Sequence, residues 1–111
     1  MKPNWICIES VEHLLDIFNE KNHKIKLFFK HSTRCSISSM ALKFFESDWK
    51  TADDVECYFI DLIKFREVSN KLAEISGVEH QSPQVIVIAN NEVIYHASHN
   101  SIDVEKIFNT I

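Results

Sequence analysis

The stretch FFKHSTRCSISSMAL, residues 28–42, contains the transition that decides the fold. An apolar, strand-like run passes into a polar turn, the turn carries a single cysteine, Cys35, and apolar residues at helical spacing follow at once. This pattern predicts a strand, a short turn and a helix that begins beside the cysteine. Cys35 is then either a reactive thiol at the start of a helix or a small apolar residue of the core.

Five runs of the sequence favour strands, because they are rich in β-branched and aromatic residues. They are WICI at 5–8, KIKLFFK at 24–30, VECYFI at 55–60, QVIVIA at 84–89 and EVIYHA at 92–97. The apolar centre of the second run indicates that this strand is buried on both faces. Asn90-Asn91 tolerates positive φ and therefore predicts a hairpin between the last two strands.

Four other segments carry apolar residues at the spacing of a helix face, with start or stop signals at their ends. The predicted helices are one capped by Ser10, one from about Ser36 to about Trp49, one over 65–75 closed by Gly77, and one that starts at Ser101 or Asp103. Glycine suits the left-handed conformation that closes many helices.

The predicted element order is β-α-β-α-β-α-β-β-α. Strands that alternate with helices imply parallel strands joined by crossovers, and the closing hairpin adds antiparallel strands. The fold class is therefore α/β, with a mixed central sheet flanked by helices on both faces. This order is similar to the thioredoxin fold, and we expect a single thioredoxin-like domain over residues 1–111.

Composition excludes several classes of protein. The formal net charge is -4 with mixed signs, which argues against a nucleic-acid binder, since such proteins usually carry a basic stripe. No apolar run approaches the roughly 20 residues that span a membrane, and the N-terminus does not resemble a secretory signal. We therefore expect a cytoplasmic protein with neither a nucleic-acid nor a membrane partner.

The three cysteines, Cys7, Cys35 and Cys57, are an odd number at wide spacings, so free thiols are expected rather than a disulfide framework. Cys7 and Cys57 lie inside apolar strand patterns and are predicted to be core residues. No second cysteine stands at position 38, where a dithiol enzyme would keep its resolving thiol. Cys35 is therefore expected to work alone.

The sequence resembles the YtxJ-type monothiol bacilliredoxin family of thioredoxin-like proteins, which act with the low-molecular-weight thiol bacillithiol. The resemblance is carried by Trp5, the string FKHSTRC at 29–35, Ile37, Ser38, Ala41 and SPQ at 82–84. One departure concerns Ser36, because the family usually has proline directly after the cysteine. Proline suits the first turn of a helix, so its absence leaves an extra N–H near the sulfur and a less rigid turn.

The resemblance implies a thiol–disulfide oxidoreductase whose catalytic residue is Cys35. It implies no bound cofactor, bacillithiol or a similar small thiol as co-substrate, and S-thiolated client proteins with a partner reductase as partners. It further implies a cis Ser82–Pro83 bond, with Ser82 and Pro83 positioning the substrate sulfur by backbone contact.

The predicted helix start has its own chemistry, whatever the family. A thiolate is the nucleophile in disulfide exchange, and the free amides at a helix N-terminus favour an anion. The amides of Ile37 and Ser38, the extra amide of Ser36 and the Ser38 hydroxyl are therefore candidate thiolate-stabilising groups.

The turn residues offer further candidates. Lys30, His31 and Arg34 add positive charge or hydrogen-bond donors if they face the sulfur. His31 acts as a base or tunes the thiolate, or else it closes the end of the strand. Arg34, with Thr33 beside it, contacts an anionic thiol substrate or is a solvated turn residue.

Six histidines raise the question of a metal site. His96 and His99 are three residues apart near the end of a predicted strand, but no nearby carboxylate or cysteine completes a ligand set, and no metal is expected. Two functions of other classes stay open beside the enzyme. One is a thioredoxin-fold module that binds partners without turnover, and the other is a redox sensor in which Cys35 is modified as a signal.

Overall fold

The computed structural model describes residues 2–20, 22, 24–50 and 52–111. Along the chain the elements are β1 (Ile6–Cys7), α1 (Val11–Asn19), β2 (Ile25–His31), α2 (Ser36–Asp48), β3 (Val55–Asp61), α3 (Arg66–Ser76), β4 (Gln84–Ala89), β5 (Glu92–Ser98), a 3₁₀ turn (His99–Ser101) and α4 (Val104–Thr110). The predicted order of strands and helices is confirmed.

Within the described ranges, the strands form one five-stranded sheet in the order β1-β3-β2-β4-β5. The β1–β3 and β3–β2 pairs are parallel, whereas β2–β4 and β4–β5 are antiparallel. Asn90 and Asn91 take φ values of 52° and 63° and form the predicted turn between β4 and β5. The mixed sheet is thus confirmed.

Helices cover both faces of this sheet and create two core clusters. On one face, α1 and α3 pack over Phe28 of β2, and on the other, α2 and α4 pack over Phe29. Both side chains are fully buried, which confirms that β2 is covered on both faces. Burial of each phenylalanine stabilises the fold by roughly 1.5–3 kcal/mol relative to an exposed side chain.

The helix ends follow the sequence signals. The Ser10 hydroxyl accepts a hydrogen bond from the His13 amide at 3.0 Å, and Gly77 closes α3 with φ 73°. Asp103, rather than Ser101, caps α4, because its carboxylate accepts bonds from the first-turn amides of that helix. None of the described helices has the length and apolar composition to cross a bilayer.

The first strand corrects one prediction. Only Ile6–Cys7 of the predicted run 5–8 forms β1, and both side chains are exposed because β1 lies at the edge of the sheet. The prediction that Cys7 is a core residue is therefore wrong. Cys57, on the interior strand β3, is buried as predicted.

Candidate active site

Cys35 lies where β2 gives way to α2. It is the N-cap residue of α2, with extended backbone (φ -110°, ψ 120°), and its carbonyl accepts the first helical hydrogen bond from Ser39 at 3.0 Å. Its side chain is partly exposed and, among the described residues, makes no capping hydrogen bond. An N-cap side chain accepts from the second or third amide of a helix, and here those amides belong to Ile37 and Ser38.

Ser38 fixes the turn that carries the cysteine. Its side chain is fully buried, and its hydroxyl accepts a hydrogen bond from the Ser32 amide at 3.0 Å. The same oxygen lies 2.8 Å from His31 Nδ1. The hydroxyl expected to donate to the sulfur is thus engaged by two other groups, and Ser38 acts on Cys35 through the turn.

His31 ends β2 and faces α2. It is buried, its ring lies 5.6 Å from the Phe59 ring, and Asp61 is its register partner on β3. Burial lowers the pKa of His31, and this effect outweighs the nearby Asp61 carboxylate and the contact with Ser38, which raise it. His31 therefore both closes the strand and holds Ser38, as a neutral imidazole at neutral pH.

Lys30 lies on the opposite face of the sheet from His31. Adjacent residues of a strand point to opposite faces, so Lys30 lies on the α3 side of the sheet, away from His31 and α2. It is fully buried, its Nζ lies 3.2 Å from His80 Nδ1, and burial lowers its pKa to about 8. Lys30 therefore does not face α2, and the condition on which it would add positive charge near the sulfur is not met.

The residues before β4 lie at the same end of the sheet as the Cys35 turn. Gln84, the first residue of β4, pairs with Lys30 near the end of β2. Ser82 and Pro83 therefore lie at the end of the sheet from which the Cys35 turn leaves. The Ser82–Pro83 peptide bond is cis, and the Pro83 carbonyl accepts a hydrogen bond from the His99 amide at 3.0 Å. Within the described residues, Ser82 Oγ is buried and has no hydrogen-bond partner.

The other predicted site residues flank Cys35 in the turn and in the first turn of α2. Thr33, Arg34, Ser36 and Ile37 are all exposed. The structure thus gathers Cys35, two helix amides, a polar turn and the segment before β4 at one end of the sheet.

The family model described as monothiol bacilliredoxin BrxC matches residues 6–107 of the chain. The chain belongs to the monothiol bacilliredoxin family. The family and the fold are those of thiol oxidoreductases, which agrees with the geometry around Cys35.

Solved structures support the fold of this bacilliredoxin-family chain. It is similar to a candidate oxidoreductase with a thioredoxin fold at 26% identity and a TM-score of 0.76, over 96% of this chain and 92% of the other. A thioredoxin from Nicotiana alata matches at 14% identity, TM-score 0.74, over 98% and 90%. The thioredoxin Mala s 13 from Malassezia sympodialis matches at 17%, TM-score 0.71, over 98% and 88%. The thioredoxin fold is thereby confirmed.

An apolar groove begins beside the cysteine. It encloses about 380 Å³ between α2 and the 3₁₀ turn, and on the helix side it is lined by residues that include Ile37, Met40 and Phe44. These three side chains are 56%, 59% and 60% exposed. All three belong to the apolar pattern that predicted α2. Of that pattern, Phe45 and Trp49 are buried in the core.

Sequence reasoning missed two contacts that support the site. The Trp5 indole N–H donates to Glu46 Oε2 at 2.8 Å, and Glu46 is one of the carboxylates that act on His31. His80 contacts Lys30 from a position 50 residues away. No local pattern marks either contact, because both join segments that meet only in the folded sheet. Across the part of the chain that the structure describes, no group of three or more histidine, cysteine or acidic residues could hold a metal.

Proposed function

We propose that this protein is a monothiol thiol–disulfide oxidoreductase that removes bacillithiol, or a similar low-molecular-weight thiol, from protein cysteines in the cytoplasm. The observation that carries the proposal is the position of Cys35, partly exposed at the N-cap of α2. Membership of the monothiol bacilliredoxin family supports it.

The proposed reaction is a pair of thiol–disulfide exchanges. The Cys35 thiolate attacks the small-thiol sulfur of the mixed disulfide, a new Cys35–S–S–R bond forms, and the client cysteine leaves as a thiolate. A second molecule of the small thiol, or a partner reductase with its own thiol, then attacks this bond and restores Cys35. When the second thiol is the small thiol, the other product is its symmetrical disulfide, so electrons balance.

An external thiol is needed because the other two cysteines are poorly suited to resolve the intermediate. Cys57 is buried in the core under α2, and burial raises the pKa of its thiol to about 12. Cys7 lies on the edge strand β1, which β3 separates from β2, so a disulfide with Cys35 would require backbone movement. Ser38 stands where a dithiol enzyme has its second cysteine, and its hydroxyl cannot form a disulfide.

The surroundings of Cys35 suit the two halves of the substrate. The amides of Ile37 and Ser38 stabilise the thiolate at the helix start. Thr33 and Arg34, exposed in the turn, contact the small thiol, whose anionic groups suit the guanidinium. The backbone of Ser82 and Pro83 positions the substrate sulfur.

A client protein requires more surface than a small thiol, and the groove that begins at Ser36 and Ile37 provides it. When Cys35 attacks the small-thiol sulfur of the mixed disulfide, the client residues that flank the thiolated cysteine come next to Met40 and Phe44. Apolar flanking residues of the client would be covered there.

The test is mass spectrometry after mixing with a bacillithiolated protein. The expected result is an adduct of one small thiol on Cys35 together with an equal amount of reduced client. Cys35→Ser should abolish both products, and the control variant Cys7→Ser should keep them.

Three other outcomes would contradict the proposal. An adduct on Cys7 or Cys57 would overturn the assignment of the nucleophile. Binding of the client to Cys35→Ser with near-normal affinity, without client release by the wild type, would show a binding module. Ready oxidation of Cys35 by peroxide without exchange would show a redox sensor.

A further inference from the structure

Hydrogen bonds between the half-buried His80 and two buried side chains attach the segment before β4 to the body of the fold. Lys30 Nζ and Ser69 Oγ each lie 3.2 Å from His80 Nδ1. Lys30 on β2 and Ser69 on α3 are both fully buried. His80 belongs to residues 79–83, here called the proline loop, which lead directly into β4. The proposed exchange reaction uses none of these three side chains.

Gln84 holds the same loop from its other end. Its Nε2 donates to the Glu79 carbonyl at 2.9 Å, and its Oε1 accepts from the Gln81 amide at 3.4 Å. Gln84 is also the register partner of Lys30 across the β2–β4 ladder, so their side chains lie on one face of the sheet. Gln84 therefore closes the loop upon itself, while His80 attaches it to β2 and α3.

We propose that Lys30, His80 and Ser69 are positioning residues that hold the proline loop against β2 and α3 and so set where Ser82 and Pro83 meet the substrate sulfur. The attachment of the loop stands on the hydrogen bonds described above. Its consequence for the substrate sulfur rests on the proposed function.

The chemistry of the three groups makes this attachment sensitive to acid. A charged lysine has donors and no acceptor, so His80 Nδ1 must accept and the imidazole must be neutral. At neutral pH Lys30 keeps its proton, because its pKa of about 8 lies above the pH. Protonation of His80 would convert the acceptor into a donor and place two cations 3.2 Å apart.

The surroundings oppose that protonation, so the loop should stay attached at neutral pH. Burial lowers the pKa of His80, and the charges of Lys30 and of Arg66 on α3 lower it further. We therefore expect the proline loop to stay attached at pH values above the ordinary pKa range of histidine and to be released as the pH falls below that range.

Two substitutions of His80 distinguish the effect of its hydrogen-bond acceptor from the effect of its protonation. His80→Asn places an amide oxygen close to the position of Nδ1, so it keeps an acceptor that does not titrate. His80→Leu removes the acceptor. The exposed His96 on β5 is the matched control, as His96→Gln.

The first measurement follows the backbone amide chemical shifts of Gln81, Ser82 and Gln84 between about pH 7.5 and about pH 5, across the ordinary histidine pKa. In the wild type and the control variant, these signals should move together in acid. In His80→Asn these signals should not move over this pH range, and in His80→Leu they should differ from the wild-type neutral positions at every pH. If His80→Leu does not fold, Lys30→Met gives the same comparison.

The second measurement is the rate of exchange with a bacillithiolated protein, divided by the rate at which iodoacetamide alkylates Cys35. His80→Leu should lower this ratio roughly tenfold to a hundredfold, as expected for a misplaced substrate contact. The ratio should fall in acid for the wild type and not for His80→Asn. A purely structural role would leave the pH profile unchanged.

The two measurements distinguish the failures. The attachment would be overturned if the amide chemical shifts of the loop did not change with pH in the wild type. It would also be overturned if they were the same in His80→Leu and the wild type. Amide chemical shifts that change with pH, together with an unchanged ratio of exchange rate to alkylation rate, would overturn the positioning role. Wild-type protein that alkylates normally at Cys35 but exchanges with no thiolated client would refute the proposed function, and the loop signals would still decide the attachment.

Discussion

The imidazole of His31 and the hydroxyl of Ser38 lie 2.8 Å apart, and this contact joins the last residue of β2 to the first turn of α2. The Ser32 amide donates to the same hydroxyl at 3.0 Å. Cys35 therefore sits in a turn whose two ends are held by one buried oxygen. The exposure and orientation of the thiol depend on Ser38. This residue occupies the position of the second cysteine in a dithiol enzyme but has no thiol.

Ser38→Ala should destabilise the protein by about 1–3 kcal/mol, because it leaves the Ser32 amide and the His31 nitrogen buried without a partner. Ser39→Ala is the matched control, since Ser39 is exposed on the same helix, and it should change the free energy of unfolding by about 0.5 kcal/mol or less. Urea unfolding of the three proteins measures both values. Equal stability of the two variants would show that the Ser38 contact contributes little.

Iodoacetamide under native conditions should modify Cys35 and Cys7 but not Cys57. The first two thiols are accessible, whereas Cys57 is buried and its pKa is raised to about 12. A time course of peptide mass spectra gives the three rates, and Cys57 should react only after urea is added. Modification of Cys57 as fast as Cys7 in the native protein would contradict the structure.

Ser36→Pro, which restores the usual family residue, should be tolerated. Ser36 is the first residue of α2, and Cys35 before it already has the extended backbone that a following proline requires. We expect a stability gain of about 0.4–1 kcal/mol from the restricted unfolded chain. Alkylation of Cys35 should change by no more than about threefold, because a cap accepts from the second and third amides.

The control for this variant is Ser36→Ala, which removes the hydroxyl and keeps the N–H. If Ser36→Pro reacted much more slowly with iodoacetamide than both the wild type and Ser36→Ala, the Ser36 amide would have to stabilise the thiolate directly.

Lys30→Met tests the buried ammonium group through the pH dependence of stability. Burial lowers the pKa of Lys30 from 10.5 to about 8, so between these values the unfolded chain holds a proton that the folded chain has lost. Raising the pH through this interval therefore favours the folded wild type relative to Lys30→Met, by up to about 3 kcal/mol. Just below about pH 8, and above the ordinary histidine range, the difference should be nearly constant.

Urea unfolding at several pH values, with the exposed Lys24→Met as control, measures this difference. The comparison between wild type and variant is needed because the raised pKa of Cys57 weakens the fold of both proteins in alkali. A difference that stays flat from pH 8 to pH 10.5 would show that Lys30 is not desolvated as its position indicates.

Local patterns predicted most of the fold, because they reflect forces that act within a few residues. Ser10, Gly77 and the Asn90-Asn91 pair act through their own backbone and side-chain geometry, and each was placed correctly. The edge strand was misjudged at Cys7, since an apolar run has the same appearance in the centre of a sheet and at its edge.

For the site, the sequence by itself determined the cysteine, the helix that starts at it and the absence of a second cysteine at position 38. These features lie within one continuous stretch and follow from composition and spacing. Only the tertiary structure decided that Ser38 binds His31 and that Lys30 faces His80 on the opposite side of the sheet. Those contacts depend on the register and facing of paired strands and on helix packing, which bring together residues that no local pattern connects.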